Sequence, residues 1–549
     1  MKICFLWTEK FKGLNNFGIN LSSEHHYTYD KKNNKLTRKE KNKIPNGIYT
    51  NHLANISGIL GSNGTGKTTI LELICLSIKG NDEINNEFLV VYEHHGSYFY
   101  KRSKNGNYDI SSDFEINSRS NDKAFENLDV IFFSNVFDQN YLELGSDVQD
   151  VSVNNKYIKK GFSYKHSFEK DFSEELRFIN SEEFSLLEYD SPEIAIARIS
   201  KEYLHRINNN QIKNLETPLT CMRDLYYRQR KSDFLTKTIL LIQLTHLAQI
   251  YDKYIEYSNS KVIEVFNENF DISNEQLPNL NKVIHELIVV LTSGDVANFK
   301  DKDRHYCEIL IDLADVHDLL LKANFKHVSQ SRQIQLQFQL TFNKKDINDF
   351  ERLSNLILKM PSSNIKWDYL SSGQKAYLNM FSSIWNAVRK QKNDDKLICI
   401  DEGDLYLHPK WQLEFIQKIT KVISELSNGR IHIIITTHSP ILVSDLPVQC
   451  LSTLIKRKNN TIDAENGLQT FGANIFDIYR ETFEIDNQKT GNISKNYMDK
   501  IISILDKAVI TEREYLSLKE SLLIIGDKIL SHHISKRVNK EKNLFEIGG

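Results

Sequence analysis

Eight consecutive residues limit the folds open to this chain more than any other feature. Gly61-Ser62-Asn63-Gly64-Thr65-Gly66-Lys67-Thr68 fits G-x-x-x-x-G-K-[ST] at every fixed position, after the apolar run Asn55 to Leu60 and before a helix. The glycines let the backbone curl so that its N–H groups face polyphosphate oxygens, helped by the positive end of the helix dipole. In this pattern Lys67 reaches the β- and γ-phosphates and Thr68 offers its hydroxyl to Mg²⁺. A glycine turn before an ordinary helix is the plain alternative, and the two flanks together weigh against it. Strand, loop and helix in this order call for an α/β fold.

The remaining sequence supplies partners for that unit. Ile3 to Trp7 and Phe17 to Leu21 read as strands, Glu87 to Tyr92 and Ser97 to Lys101 as a hairpin, and Leu128 to Ser134 as a strand buried on both faces. From about Val151 to Lys326 the periodicity is helical, as in Leu241, Ile242, Leu244 and Leu247, and no heptad pattern is sustained. Between Gln333 and Phe342 apolar and polar residues alternate, the mark of a half-buried strand. A helix around Leu353 to Met360, another from about Gly373 to Arg389, a strand at Leu397 to Ile400, a helix near Trp411 to Ser427 and a strand at Ile431 to Thr436 follow. The last hundred residues read as helical and charged, and their lysine-rich end (KRVNKEKN) as a solvated terminus.

Composition narrows the class. Lys plus Arg (70) nearly balance Asp plus Glu (72), so any nucleic-acid contact must be a local patch. The six cysteines are scattered, with no close pair to suggest a disulfide framework or a zinc knuckle. No run approaches the roughly 20 apolar residues that span a bilayer. A soluble, cytoplasmic protein without a membrane partner is expected.

Three further motifs carry chemistry. Leu397-Ile398-Cys399-Ile400-Asp401-Glu402 is an apolar strand ending in two carboxylates. Beside Lys67 and Thr68 in a P-loop ATPase, Asp401 would sit near Mg²⁺ and Glu402 would polarise the attacking water. Thr437-His438-Ser439-Pro440 follows a core strand, and His438 is placed to sense the γ-phosphate. Leu370-Ser371-Ser372-Gly373-Gln374 starts an amphipathic helix. Its donors make a second anion site, which is of use if it closes on the nucleotide of another protomer. Each taken alone has an ordinary reading: a solvated strand end, a histidine near a cap, or a serine helix cap.

Taken in order, GSNGTGKT, LSSGQ, LICIDEGD and TTHSP resemble the ATP-binding-cassette (ABC) ATPases, and within them the SMC/Rad50/RecF/OLD-like branch. FKGLNNFGINL, FSNVFD, the Leu407-His408-Pro409 step and FGANIFDIYRETF are most similar to PtuA-like anti-phage defence ATPases of Septu and retron systems. The resemblance implies a two-lobed P-loop head with a largely helical insertion and a helical C-terminal region. The expected divisions are 1–148 (lobe I), 149–330 (insertion), 331–465 (lobe II) and 466–549 (partner-binding region). It implies that Gly61, Ser62, Asn63, Gly64, Thr65, Gly66, Lys67, Thr68 and Thr69 bind ATP, with Ser371 and Gly373 capping it from a partner. Glu402 and His438 would be catalytic. Thr68, Asp401 and Gln139 would serve Mg²⁺. Ser372 and Gly403-Asp404 depart from the family pattern, which commonly has glycine at the first and, in transporters, proline after the glutamate.

The expected function is an ATP-hydrolysing switch in a defence complex, working as a homodimer or higher even oligomer and controlling a separate HNH-type nuclease subunit. A reverse transcriptase with its RNA–DNA product is a further partner such systems admit. A transporter module is disfavoured because Ser371 lies 304 residues beyond Lys67, and a long tether because heptads are lacking. A nuclease within the chain would need an acidic cluster after His438, and none is seen. The alternative is a RecF- or Rad50-like repair ATPase acting on DNA ends or gaps.

Overall fold

The apolar runs that end in polar residues enter one sheet. In the computed structural model its seven strands lie in the order Val148–Asp150, Leu128–Ser134, Asp395–Asp401, Ile431–Thr437, Leu53–Gly61, Leu451–Lys456 and Ile462–Asn466. The first six run parallel, and the last pairs antiparallel with its neighbour. The structure describes residues 1–549 except 46, 51, 81–83, 104–108, 119–124, 139, 157–163, 207–217, 230, 256–260, 271–277, 294–303, 329–334, 428, 458–460, 467, 483–490 and 546–549. Parallel strands need cover on both faces, and Leu128–Ser134 and Ile431–Thr437 are buried at every residue.

The helix that opens at Lys67 is the cover that matters most. Lys67–Lys79 is apolar almost all round, with Ile70, Leu71, Leu73, Ile74 and Cys75 buried. Such a helix has no face for water and must lie between two layers. It packs in one core with Val130, Phe132 and Cys399 of the main sheet and with Ile3, Leu6 and Val90 of a second, five-stranded sheet. That second sheet is built from Lys2–Phe11, Leu14–Asn20, Phe88–His94, Ser97–Arg102 and Asn117–Ser118, and it includes the expected hairpin.

The described residues between 149 and 330 are mostly helical, but Ile194–Ser200 is a strand the sequence hid. Ile194–Ser200 pairs with Gln335–Thr341 and with Asn364–Trp367 in a four-stranded sheet completed by Lys326–His327. Its alternation is masked because Ala195, Ile196, Ala197 and Ile199 are all buried. Gln335–Thr341 alternates in and out as expected; Ile334, at the start of that pattern, lies outside the described residues. Met1–Asn474 forms one compact unit and Ile475–Gly549 another. The second contains the helices Asn492–Leu505, Glu512–Ser521 and Lys528–Phe545 around Ile501, Ile504, Tyr515, Leu518 and Ile534. Among the described residues no helix is long and apolar enough to cross a membrane.

One buried histidine ties the two sheets together. Ile3 N–H donates to His432 Nδ1 (3.2 Å), and Asn55 Nδ2 lies 3.0 Å from Nε2. Nε2 lies 3.0 Å from Ser57 Oγ, whose own O–H goes to Leu21 O (2.7 Å). Burial holds the imidazole neutral by pushing its pKa down to about 3. An unfolded histidine titrates near 6.5, so between that pH and about 3 only the unfolded chain takes up this proton. Acid should therefore cost about 1.4 kcal/mol of stability per pH unit through this residue. His432→Gln is expected to flatten the fall of the unfolding midpoint between pH 6.5 and 5; a fall as steep as the parent's would refute the assignment.

Candidate functional site

Strand register brings the polar strand ends into one row. Ser134 is opposite Asp401, Asp401 opposite Thr436, and Thr437 opposite Leu60, next to the glycine loop. Ligand sites of open parallel sheets lie at this carboxyl edge. A Cβ on Gly61 would meet Thr65 Oγ1 at 2.5 Å and Leu454 Cβ at 3.0 Å, so only glycine lets the loop close. Gly66 caps the helix at φ 82°, a left-handed conformation, and no side chain caps the first turn. Its backbone donors therefore stay available to an anion, and the loop fits a polyphosphate.

Lys67 is buried and reaches inward. Its ammonium donates to Gly61 O (3.2 Å), contacts the His438 ring and lies 4.0 Å from Glu402 Oε1. Burial lowers its pKa, against the pull of Glu402, Asp401 and Asp404. Asp401 is buried and receives three hydroxyls: Thr436 at 2.6 Å, Thr68 at 3.0 Å and Ser134 at 3.3 Å. Burial raises its carboxyl above the usual range despite these bonds. Glu402 differs. His438 Nε2 lies 3.0 Å from its Oε1, and that hydrogen bond, helped by the charge of Lys67, holds the carboxyl below the usual range. Adjacent carboxylates are thereby driven apart in acidity, a pattern common at functional sites.

The turn after them explains one departure from the family pattern. Glu402 sits at φ 46°, its N–H donating to Thr436 O (3.1 Å). A Cβ on Gly403 would meet Ile400 Cγ2 at 2.6 Å, so the chain turns through a glycine here. Asp404 is buried and accepts from Thr437 Oγ1 (2.9 Å); burial raises its pKa.

Lys67, Thr68, Asp401, Glu402 and His438 thus meet, as expected. Ser371 and Gly373 stand elsewhere: the cavity of about 400 Å³ beside Thr68, Thr69 and Asp401 is lined by neither. Ser371 Oγ caps the helix Ser372–Lys390 by accepting from Gln374 N (3.2 Å), and it is exposed. Gly373 is pressed against Tyr406, whose carbonyl oxygen lies 2.8 Å from a Cβ built there. Gln139 lies outside the described residues, although its neighbours Asp138 and Asn140 line the cavity. Sequence reasoning missed Ser134, Thr436 and Asp404; the usable signal is a polar residue ending each apolar strand. It also missed Lys12, whose ammonium pairs with buried Glu72 (2.5 Å) at the cavity wall. Among the described residues no group of three His, Cys, Asp or Glu side chains forms a metal cage. One hydroxyl and one carboxylate suit Mg²⁺, which is commonly bound by few protein ligands together with substrate phosphates.

A family model described as an AAA ATPase domain matches residues 1–443. The chain is 30% identical over 142 residues to the Septu protein PtuA of Bacillus thuringiensis, covering 24% of this chain and 33% of that one. It is 24% identical over 427 residues to the retron Vc95 probable ATPase of Vibrio cholerae, covering 72% and 68%. The match thus spans about a third of the first relative's length. The SMC head domain from Thermotoga maritima aligns over 85% of this chain and 100% of its own, at 12% identity and a TM-score of 0.27.

The raised pKa of Asp401 has a consequence for stability. The folded chain binds this proton more tightly than the unfolded one, so raising the pH through the shifted pKa costs stability. Asp401→Asn removes a buried charge and is expected to raise the unfolding midpoint at pH 8. The gain should shrink toward acid, where the parent carboxyl is protonated. A midpoint that drops at pH 8 would contradict this account.

Proposed function

The chain belongs to the AAA ATPase domain family, and we propose on that premise that it is an ATP-hydrolysing switch subunit of an anti-phage defence complex. The observation that supports this most is the meeting of Lys67, Thr68, Asp401, Glu402 and His438 at one sheet edge, over a helix start that no side chain caps. Residues 61–69 take the triphosphate, and Lys67 exchanges Gly61 O and Glu402 for phosphate oxygens. Thr68 and Asp401, with Gln139 as a further ligand, would hold Mg²⁺, which would supply charge neutralisation at the transferred phosphoryl group. Glu402 is ionised through its bond to His438 and accepts the proton of the attacking water, while His438 steadies that water and the γ-phosphate.

Two copies complete the site. Ser371 and Gly373 lie outside their own chain's cavity, and to cap the γ-phosphate of a partner the exposed Ser371 would give up its bond from Gln374 N. ATP then favours pairing, and hydrolysis loosens it. The names of the relatives, a Septu protein and a retron ATPase, support a defence role in which a separate HNH-type nuclease subunit is restrained or released. The division into two lobes, an insertion and a partner-binding region after residue 465 is part of the same reading.

Glu402→Gln should keep ATP affinity and trap a dimer while turnover falls by about a hundredfold or more. Adding Ser371→Arg to that variant should abolish ATP-driven pairing with single-chain ATP binding nearly intact. Light scattering and filter binding check both, and parental turnover in Glu402→Gln would remove the base assignment. For the partner, expression of the full chain with its neighbouring genes should yield a complex containing an HNH protein. Recovery of the ATPase alone, beside genes of replication or repair, would instead favour a RecF-like role.

A further inference from the structure

A second cavity, of about 470 Å³, lies against the helix that Ser371 caps, and Lys67, Thr68 and Asp401 do not line it. Ser372, Lys375, Ala376 and Asn379, spaced three and four residues apart, form one wall along a single helix face. Phe172 and Trp367, with ring centroids 4.8 Å apart, form an apolar wall with Ile365. Two aromatic residues of the lining, Phe137 and Tyr406, are 51% and 60% exposed.

The floor is polar in one sense only. Asn135 Nδ2 is a donor on a residue 4% exposed and has no hydrogen-bond partner, whereas the Trp367 indole is bonded to the Glu175 carboxyl. A buried donor without a partner is costly, so Asn135 Nδ2 in a cavity wall points to an acceptor supplied from outside. The two acids nearby do not repel one. Asp171 is paired with Lys156 at 2.8 Å. The Glu175 carboxyl is pushed up to about 8 by burial and by Asp171, so at neutral pH it keeps its proton and is itself a donor. Lys375, exposed, adds a cation.

An occupant must therefore be flat enough for aromatic walls, carry acceptors on its edge and bear an anionic group. We propose that this cavity binds one nucleotide unit, with its base among Phe137, Tyr406, Phe172 and Trp367, its acceptor edge toward Asn135, and its phosphate at Lys375. Base-on-aromatic contacts tolerate any base because each has a π-face. The unit is either a free nucleoside monophosphate or an unstacked residue of a single strand. The cavity also touches the catalytic row: Asn135 follows Ser134, which donates to Asp401 Oδ2 (3.3 Å) and accepts from Val136 N (3.2 Å). An occupant held by Asn135 thus acts on the segment that steadies Asp401.

Binding is tested on the full chain carrying Lys67→Ala, which weakens phosphate binding at the P-loop, so that bound nucleotide reports the second cavity. The four deoxynucleoside 5′-monophosphates, one at a time, and a single-stranded oligodeoxynucleotide are titrated by calorimetry. Binding of a monophosphate identifies the free nucleotide as ligand, and binding of the oligonucleotide alone identifies the strand. Ala376→Phe, which fills the cavity, and the surface change Lys375→Glu should each weaken that binding by about tenfold. The second variant keeps the test valid if the first does not fold. No binding by any probe below about 1 mM, or binding unchanged by Lys375→Glu, overturns the proposal.

Discussion

A carboxylate buried at the edge of a parallel sheet sets the conditions for everything around it. Asp401 has almost no contact with water and lies between Ser134 and Thr436 on the two neighbouring strands. Three hydroxyls bond to it, yet burial still raises its pKa, so the folded chain carries a group it solvates poorly. Such a group is retained where charge is to be met by charge. The glycine loop sits two strands away and aims Lys67 and Thr68 at the same point. Its helix is held there by apolar contacts to two sheets, which fixes the loop's position without any polar contact to the ligand.

Much of this was legible in the sequence because the informative residues are local. The glycines, Lys67 and Thr68 lie within eight residues of one another, and each of the other motifs closes an apolar strand or opens a helix. Their meeting follows from topology, since parallel strands bring their carboxyl ends to one edge. What was not legible depends on register and distance. Ser134 is 267 residues from Asp401 in sequence, and only strand pairing shows that its hydroxyl arrives there. Ile194–Ser200 was hidden for the opposite reason: burial on both faces removes the alternation by which a strand is recognised.

The departures from the family pattern also have physical reasons that sequence alone could not give. Proline at position 403 would carry its ring where a glycine already has Ile400 Cγ2 at 2.6 Å from a built Cβ. Asp404, which reads as one more acid in a row, is bonded to Thr437 on the neighbouring strand and so anchors the turn that carries Glu402. Ser372 faces solvent at the first turn of its helix, where a side chain is tolerated, while Gly373 has Tyr406 O against it and has no room for one. The glycine that matters in LSSGQ is therefore the second position of the helix.

The same helix faces two ways. Its start is exposed, while one flank, from Ser372 to Asn379, borders the aromatic cavity. The other border of that cavity begins at Asn135, one residue beyond the hydroxyl that bonds Asp401. A change of contact on either border would act on a residue adjacent in the chain to Ser134 or to Ser371. Coupling of this kind needs no long path through the core: it needs only that two short segments share a wall. Sites coupled thermodynamically must act on each other equally, so whatever fills the cavity would feel the state of the nucleotide as much as the nucleotide feels it.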